Sequence, residues 1–309
     1  MRFFVVGDVS VDLIYFLDRI PEAGEEVPAK RALMKPGGAG ATIAANLASL
    51  GHKVFLAARV GKDSFSDLAL SRIKQTGVEL KHLQEDAEHT TSSVLIFVVS
   101  GGERSMVSHP GANRYLDASE FRPRSLDQID GLVVSAYALA GGPQREYAVK
   151  ALNAAKKRNI PIFADLGSGA VRIAGKELLE YLKGVDYLLM NQHELLTLTG
   201  ASSISEGVQA LHAYELQRVI VKVGPLGSIV VTPEEQELVE PYPVEGVVDS
   251  TGAGDAYTAA FAHAILEGHD LLTAARMANI AGALVTTAVG AQGRLITRED
   301  LETPLHAAK

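Results

Sequence analysis

The stretch DSTGAGDAYTAAF, residues 249–261, passes directly from small residues into a helical pattern. Gly252, Ala253 and Gly254 are therefore expected to form the turn at a helix N-terminus, where free backbone N–H groups and the helix dipole attract phosphate. Glycine is required there because a side chain would keep the backbone away from the anion. Asp255, in the first helical turn, can accept a hydroxyl proton beside amides that stabilise a transferring phosphoryl group. On spacing alone, an aspartate near the start of an ordinary helix explains the same string.

A second glycine cluster, PGGAGAT at residues 36–42, also leads into a helical pattern. Neither cluster is followed by Gly-Lys-Ser/Thr, so neither completes a Walker A motif. Ile43 and Tyr257 occupy positions at which the dinucleotide-binding fingerprint requires Gly or Ala. A P-loop NTPase and a nicotinamide-dependent oxidoreductase are therefore the weaker interpretations.

The composition of the 309 residues is typical of a soluble folded protein, with 47% hydrophobic and 21% charged side chains. The 29 basic and 37 acidic side chains give a formal net charge of −8, which argues against binding to nucleic acid or to a membrane surface. The absence of cysteine excludes disulfides, Fe–S clusters and a cysteine nucleophile. Because no signal peptide or membrane span is recognisable, we expect a cytoplasmic protein.

Short runs rich in Val, Ile and Leu alternate with stretches whose apolar residues recur at helical spacing. The runs predicted to be buried strands are Phe3–Gly7, Val54–Ala58, Gly131–Ser135, Ile162–Ala164, Tyr187–Met190, Val219–Val223 and Ser228–Val231. The predicted helices are Ala41–Leu50, Phe65–Thr76, Arg145–Arg158, Gly175–Leu182, Ala253–Glu267, Leu271–Val289 and Arg298–Leu305. This alternation predicts an α/β fold with a central, mostly parallel sheet flanked by helices.

Two segments break this alternation and are predicted to be hairpins of an antiparallel sheet. They are Asp12–Leu33, around the turn Pro21–Gly24, and Ser92–His109, around the turn Ser100–Glu103. We expect these segments, residues 12–33 and 92–109, to form a small β lid over a site. A large α/β nucleotide-binding domain would then comprise residues 1–11, 34–91 and 110–309. A β-rich interface between two copies of the chain explains the same pattern.

Three further motifs lie between the two glycine clusters. They are Gly111-Ala112-Asn113, Asn191-Gln192-His193-Glu194 and Lys222-Val223-Gly224-Pro225-Leu226-Gly227. Five motifs in this order, spread over nearly the whole chain, resemble the PfkB (ribokinase-like) family of ATP-dependent carbohydrate and nucleoside kinases. The resemblance implies a ribokinase-like fold and transfer of the γ-phosphoryl group of ATP, with Mg²⁺, to a hydroxyl of a small polyol, above all a sugar. A nucleoside kinase of the same fold and a non-catalytic sugar- or nucleotide-binding protein remain the alternatives.

The resemblance assigns the catalytic and Mg²⁺-binding positions. Asp255 matches the family's catalytic base, and the turn Gly252–Gly254 matches its anion hole. Asn191 and Glu194 match the motif that orders Mg²⁺, its waters and the triphosphate. On pattern alone, Asn191 and Glu194 would be a strand-end turn and a solvated helix face.

The resemblance also assigns the nucleotide site. Its matching positions are Lys222, Gly224, Gly227, Gly254 and Asn279, the last near the adenine. On pattern alone, Lys222 would be an exposed strand-end residue and Asn279 a helix-surface amide.

For the acceptor, Asp12 matches the lid-strand aspartate that binds sugar hydroxyls, with Ser10 beside it on the same face. The other positions that match the acceptor site are Gly37, Gly38, Thr42, Asn113 and Asp255. Sugar kinases of this type usually carry Asn where Thr42 stands, and ribokinases proper present a glutamate at about the position of Tyr137. Because a site that loses a hydroxyl-binding partner discriminates strongly, we predict that D-ribose is a poor substrate.

Two further properties of the family concern ions and assembly. Many members bind K⁺ beside the anion hole, and the matching residues are Asp249, Thr251, Val285, Ala288 and Gly290. Arg294 replaces the small hydroxyl residue that is often found in that site. The lid often serves as a dimer clasp, which implies a homodimer through the lid.

Overall fold

The computed structural model describes residues 1–99 and 104–307. Its strands are β1 (Arg2–Val6), β2 (Ser10–Leu17), β3 (Arg31–Gly37), β4 (Lys53–Gly61), β5 (Glu79–Asp86), β6 (Ser92–Val99), β7 (Arg104–His109), β8 (Gly131–Ser135), β9 (Ile162–Asp165), β10 (Tyr187–Asn191), β11 (Val219–Lys222), β12 (Ser228–Val231) and β13 (Gln236–Val239). Its α-helices are α1 (Ala39–Ser49), α2 (Ser64–Gln75), α3 (Gly142–Lys156), α4 (Ser168–Ala174), α5 (Glu177–Leu182), α6 (Gln192–Thr199), α7 (Ile204–His212), α8 (Ala253–Leu266), α9 (Leu271–Val285) and α10 (Arg298–Ala307). Within these ranges, no helix is both long and apolar enough to cross a membrane.

The larger sheet has the strand order β13-β12-β11-β10-β9-β8-β1-β4-β5. Neighbouring strands from β11 to β5 pair in parallel, whereas β12 pairs antiparallel with both β11 and the edge strand β13. Helices cover both faces, because Phe3 and Val5 of the central strand β1 pack in one apolar core with α1, α8 and α9. Phe4 and Val6 pack in a second core with α3, α5 and α6 on the opposite face. The predicted mostly parallel α/β fold is confirmed.

The smaller sheet has the order β3-β2-β6-β7 and consists of the two predicted hairpins. Each pair, β2 with β3 and β6 with β7, is antiparallel, but β2 and β6 join the hairpins by parallel pairing. Sequence alternation could not reveal this pairing because it depends on contacts between distant segments. The predicted turn Ser100–Glu103 lies outside the described residues. Strand β2 begins at Ser10 and β3 continues to Gly37, so the predicted lid borders fall inside these two strands.

Several elements differ from the sequence-based expectation. The predicted helix Gly175–Leu182 corresponds to α5, which begins two residues later at Glu177, because Gly175 adopts a φ of 53° and ends the preceding helix α4, which was not predicted. Helix α9 ends at Val285, where the hydroxyls of Thr286 and Thr287 donate to carbonyls of the last turn. Strands β5 and β13 and helices α6 and α7 were not predicted. Strand β5 reads ELKHLQED, and such a polar edge strand carries no apolar run.

Candidate active site

The carboxyl ends of the parallel strands meet at one edge of the large sheet, and polar side chains end or follow several of them. Asp8 follows β1, Tyr137 lies in a 3₁₀ helix after β8, and Asp165, Asn191 and Lys222 end β9, β10 and β11. Ligands of open parallel sheets bind outside this edge. Together with the N-terminus of α8 and the smaller sheet, this edge forms the candidate active site.

The turn before α8 has the geometry that an anion-binding site requires. As predicted, the helix begins at Ala253, and Gly252 caps it with a left-handed φ of 82°. A Cβ on Gly252 would lie 2.5 Å from the carbonyl oxygen of Ala291, so only glycine fits there. Next to Gly254, the Lys222 side chain lies within 4 Å of an added Cβ, with Nζ at 3.2 Å. The turn therefore faces a space that is bordered by an ammonium group and suits phosphate.

Lys222 belongs to a buried charge network beside this turn. Its Nζ donates to Oδ1 of Asp165 at 2.7 Å, and the hydroxyl of Thr258 donates to the same oxygen at 2.8 Å. The Lys222 and Asp165 side chains are only 14% and 4% exposed. The pattern-only interpretation of Lys222 as an exposed residue is therefore wrong.

Asp255 lies in the first turn of α8, next to this network. Its pKa is raised to about 8, mainly by burial and then by the charge of Asp165, while the charge of Lys222 opposes the rise. A carboxylate whose pKa is raised in this way is, once ionised, a stronger base than an exposed aspartate. This environment suits a general base.

Asn191 and Glu194 cap the start of α6 reciprocally. Oδ1 of Asn191 accepts from the Glu194 N–H at 2.8 Å, and the Asn191 N–H donates to Oε2 of Glu194 at 2.9 Å. Ser168 Oγ donates to Oε1 of Glu194 at 3.0 Å, and Glu194 is 4% exposed. The interpretation as a solvated helix face is therefore wrong. Because both carboxylate oxygens already accept hydrogen bonds, the pair fits a hydrated Mg²⁺ that is contacted through water.

The predicted nucleotide residues lie around the β12–β13 edge. Gly227 has a φ of 92°, and a Cβ on it would lie 2.1 Å from the carbonyl oxygen of Val239. Nδ2 of Asn279 donates to the carbonyls of Val239 and Glu240 at 3.1 and 2.9 Å, so this buried amide anchors the segment after β13 to α9. Asn279 is therefore not a surface amide. Gly224 has a φ of 60°, and among the described residues other than its chain neighbours no atom lies within 4 Å of an added Cβ.

On the lid sheet, Asp12 is 4% exposed, and the Ser10 hydroxyl donates to its Oδ1 at 3.4 Å. A Cβ on Gly37 would lie 2.2 Å from this oxygen, so glycine allows the carboxylate to pack on the backbone. Burial raises the pKa of Asp12 to about 7; the Ser10 hydrogen bond opposes this rise and the charges of Asp8 and Asp249 reinforce it. Asp12 therefore lies in a dry setting that suits recognition of hydroxyl groups.

Asp8 and Asn113 fix the backbone around the acceptor residues. Oδ1 of Asp8 accepts from the N–H of Gly40 at 3.3 Å, which caps α1. Asn113 accepts from the Val9 N–H at 3.2 Å and donates to its carbonyl at 2.8 Å. Gly38 has a φ of 93°, and a Cβ on it would lie 2.6 Å from the carbonyl oxygen of Asp8. The Asn113 side chain thus braces the β1–β2 connection.

Thr42 and Tyr137 are the positions at which the chain departs from the sugar-kinase pattern. Thr42 is fully buried, and Nε2 of Gln292 donates to its hydroxyl at 3.4 Å. The ring of Tyr137 packs on a glycine turn, since a Cβ on Gly167 or Gly169 would lie 2.3 or 2.8 Å from ring carbons. Substrate contact by Thr42 therefore stays a prediction, and part of the Tyr137 ring is already covered.

The residues predicted to hold K⁺ lie together around Asp249. Its Oδ1 accepts from the N–H and the hydroxyl of Thr251 at 2.9 and 2.6 Å, and its Oδ2 accepts from the Gly290 N–H at 2.8 Å. The Asp249 N–H donates to the carbonyl of Thr286 at 3.1 Å, which places residues 285–290 beside the carboxylate. The oxygens of Asp249 are thus engaged by the protein's own donors.

Asp8 and Asp165 carry no predicted site role. Both follow or end a predicted buried strand, and these strands pair in parallel through β8. The available signal was therefore an acidic residue at the carboxyl end of each strand, at one sheet edge. Pattern alone did not distinguish such residues from ordinary strand-end caps.

Comparisons with known proteins agree with this geometry. The family model for pfkB family carbohydrate kinases matches residues 2–298. The chain is 32% identical to the ribokinase of Bacillus subtilis over 298 residues, which cover 96% of this chain and 97% of the relative. It is 31% identical to the fructokinase of Vibrio alginolyticus over 312 residues, again covering 96% and 97%.

Solved structures show the same fold. The ribokinase of Arabidopsis thaliana, solved in complex with ribose and ATP, is 27% identical and superposes with a TM-score of 0.84 over 98% of each chain. The ribokinase of Thermotoga maritima is 26% identical, with a TM-score of 0.83 over 98% of this chain and 99% of that one. The fold, the order of the motifs and the family match agree, and the chain belongs to the pfkB family of carbohydrate kinases.

Proposed function

We propose that this chain transfers the γ-phosphoryl group of ATP to a hydroxyl of a small sugar. The observation that carries the proposal is the partly buried Asp255 in the first turn of α8, whose pKa is raised by burial and by the charges of Asp165, Asp8 and Asp12. A base, an anion site and a hydroxyl-binding carboxylate are the groups that phosphoryl transfer to an alcohol requires.

In this reaction the lid residues Asp12 and Ser10 bind and orient the sugar hydroxyls. Asp255 accepts the proton of the reacting hydroxyl, whose oxygen forms a bond to the γ-phosphorus. The bond from the γ-phosphorus to the bridging oxygen breaks, and ADP leaves with that electron pair. The N–H groups at the start of α8 and the Lys222 ammonium stabilise the charge on the transferring group.

ATP would lie along the β11–β12 connection, with Gly224, Gly227 and Asn279 forming the walls of its site. When bound, Mg²⁺ would neutralise charge on the phosphate oxygens. Asn191 and Glu194 would hold its water shell, since the Glu194 carboxylate is already held by hydrogen bonds from Asn191 and Ser168. K⁺ is not part of this proposal, because a lid arginine contacts the carboxylate that would bind it.

A homodimer through the lid is part of the proposal. The face of the lid sheet opposite Asp12 carries an apolar row in cross-strand register: Met34, Leu13, Leu95 and Val107. Met34 and Val107 at its two ends are 61% and 62% exposed. Exposed apolar rows of this kind mark interaction surfaces. Light scattering should give twice the chain mass, and Val107→Lys should reduce it to one chain.

The test of the proposed reaction is ADP release from ATP with a panel of ribose, fructose, 2-keto-3-deoxygluconate, inosine and adenosine. Turnover with a sugar, abolished when magnesium is removed, supports the proposal. Preference for a nucleoside would instead identify a nucleoside kinase of the same fold. Binding of ATP and sugar without ADP release would identify a non-catalytic binding protein.

A further inference from the structure

Arg104, the first residue of β7, links the lid sheet to the turn that precedes the anion site. Its guanidinium donates to Oδ1 of Asp249 at 2.9 Å, to the hydroxyl of Thr251 at 2.6 Å and to the hydroxyl of Ser250. These residues lie immediately before the turn at Gly252. A single lid side chain therefore contacts three consecutive residues that determine the position of the anion-binding turn.

The Asp249 carboxylate offers little to a monovalent cation in this arrangement. Its Oδ1 accepts from Arg104 and Thr251, and its Oδ2 accepts from Gly290. Burial alone would raise the pKa of Asp249, but the hydrogen bonds from Thr251 and Gly290 and the charge of Arg104 hold it below its ordinary value. A fixed positive charge thus already balances the anion where K⁺ would bind.

Arg294 supplies a second, independent observation. It stands where the family often has a small hydroxyl residue, and its guanidinium is engaged by Thr287 and Asp300. It donates to the Thr287 hydroxyl at 3.3 Å and to Oδ1 of Asp300 at 2.8 Å. The chain thus lacks a hydroxyl ligand at position 294, and the Asp249 carboxylate contacts Arg104. The donor set does not fit a monovalent cation.

The opposite edge strand of the lid sheet, β3, also contacts the loop that contains Gly290. Lys35 of β3 lies directly opposite Asp12 in the sheet. Its Cγ would be 3.2 Å from a Cβ on Gly290, so its stem packs on that glycine. Both edges of the lid sheet, β3 and β7, therefore contact the loops around Asp249.

We propose that Arg104 is a positioning residue that supplies, from the lid, the positive charge that a monovalent cation supplies in many relatives. It neutralises Asp249 and orders the turn at Gly252 only when the lid sheet covers the site. Turnover should therefore be independent of K⁺, and closure of the lid should be coupled to formation of the anion site. This inference rests on the proposed kinase function.

The experiment measures ADP release by the full chain in potassium chloride and in tetramethylammonium chloride at equal ionic strength, with the best acceptor of the panel. For the unchanged protein we expect equal rates in the two salts. Arg104→Ala should lower kcat by about 10-fold or more in tetramethylammonium, because a charged hydrogen-bond partner of a buried carboxylate is lost. Added K⁺ or guanidinium should restore part of that rate, with KM for the acceptor changing by less than about 3-fold.

Thermal unfolding gives a readout that does not depend on turnover. The unchanged protein should have the same melting temperature in K⁺ and in tetramethylammonium. The melting temperature of Arg104→Ala should be about 2 °C higher in K⁺, because an ion that binds only the folded state stabilises that state. The matched control is Arg31→Ala, which removes the same charge from the exposed edge strand β3, where Arg31 lies over the Phe16 ring. It should behave as the unchanged protein in every assay.

Three results would overturn the inference. They are activation of the unchanged protein by K⁺, unaltered kinetics in Arg104→Ala, and a loss of turnover that neither ion reverses. If the unchanged protein releases no ADP with any acceptor, the proposed kinase function fails instead. The thermal measurement then still decides whether Arg104 excludes K⁺.

Discussion

The two carboxylates of the candidate site, Asp255 and Asp12, lie in regions that are built very differently. Asp255 is on α8, whose following residues are buried in the core, and Lys222 and Asp165 pack beside it. Asp12 is on the lid sheet, whose outer strand β7 is exposed along its whole length. The chemistry is therefore placed on the rigid part of the molecule, and recognition of the acceptor on a part that can vary without disturbing the core.

The largest effect should follow from removing the base itself. We expect Asp255→Asn to lower kcat by about 10²–10⁴-fold, the usual contribution of general-base catalysis, with the affinity for ATP little changed. Single-turnover kinetics and ATP binding by calorimetry measure the two quantities. Near-normal turnover would show that the rigid region does not hold the base.

The same substitution should make the protein more stable at alkaline pH. Because the pKa of Asp255 is raised to about 8, the folded state retains a proton that the unfolded chain has released, so folding stability falls as pH rises from about 4 to 8. Asn cannot ionise, so Asp255→Asn should be more stable than the unchanged protein by several kcal/mol at pH 8.5 and equally stable near pH 4. Urea unfolding at the two pH values measures this gain, while kcat/KM of the unchanged protein should fall below pH 8.

The next effect concerns the ion pair that supports the base. Asp165→Asn leaves the Lys222 ammonium without its nearest charge partner, and we expect a loss of about 3–5 kcal/mol in unfolding free energy. It also removes the repulsion that raises the pKa of Asp255, so the acidic limb of kcat/KM should move to lower pH. Thr258→Val is the matched control, because it removes a hydrogen bond from a neutral donor to the same oxygen, leaves the ion pair in place and should cost about 2 kcal/mol. Equal losses in both variants would contradict this account.

Substitution of the lid carboxylate should affect acceptor binding more than stability. Asp12→Asn should raise KM for the acceptor by about 10-fold or more, since one charged partner of the hydroxyls is lost. It should leave the unfolding free energy at pH 4 within about 1 kcal/mol, because the raised pKa of Asp12 keeps its carboxyl protonated in the folded protein at that pH. Initial rates at varied acceptor concentration measure KM, and urea unfolding measures the unfolding free energy. A loss of stability as large as that of Asp165→Asn would remove the distinction between the two regions.

The rigid region was also the more predictable one. Val/Ile runs and the turn before α8 predicted most of the parallel sheet and the helix start at Ala253, because local pattern dominates where strands are fully buried. The parallel pairing of β2 with β6 and the polar edge strand β5 carry no local signal. The contact of Arg104 with Asp249 joins residues 145 positions apart, and only the folded chain reveals it. Lys222 was assigned to the nucleotide site by resemblance and Asp165 was recognisable only as an acidic residue after a strand, but the ion pair between them has no local signal.

The smallest effect concerns which sugar the lid side accepts. The Thr42 hydroxyl is already engaged by Gln292, and the Tyr137 ring is packed on Gly167 and Gly169, so neither position offers the amide or carboxylate that binds sugar hydroxyls in the family's ribokinases. We therefore expect kcat/KM for D-ribose to lie about 10-fold below that of the best acceptor among fructose, 2-keto-3-deoxygluconate, inosine and adenosine. Thr42→Asn should reduce the difference in kcat/KM between D-ribose and the best acceptor, because an amide both donates and accepts hydrogen bonds. Ribose as the clear best substrate of the unchanged protein would show that acceptor choice depends on Asp12 and its neighbours alone.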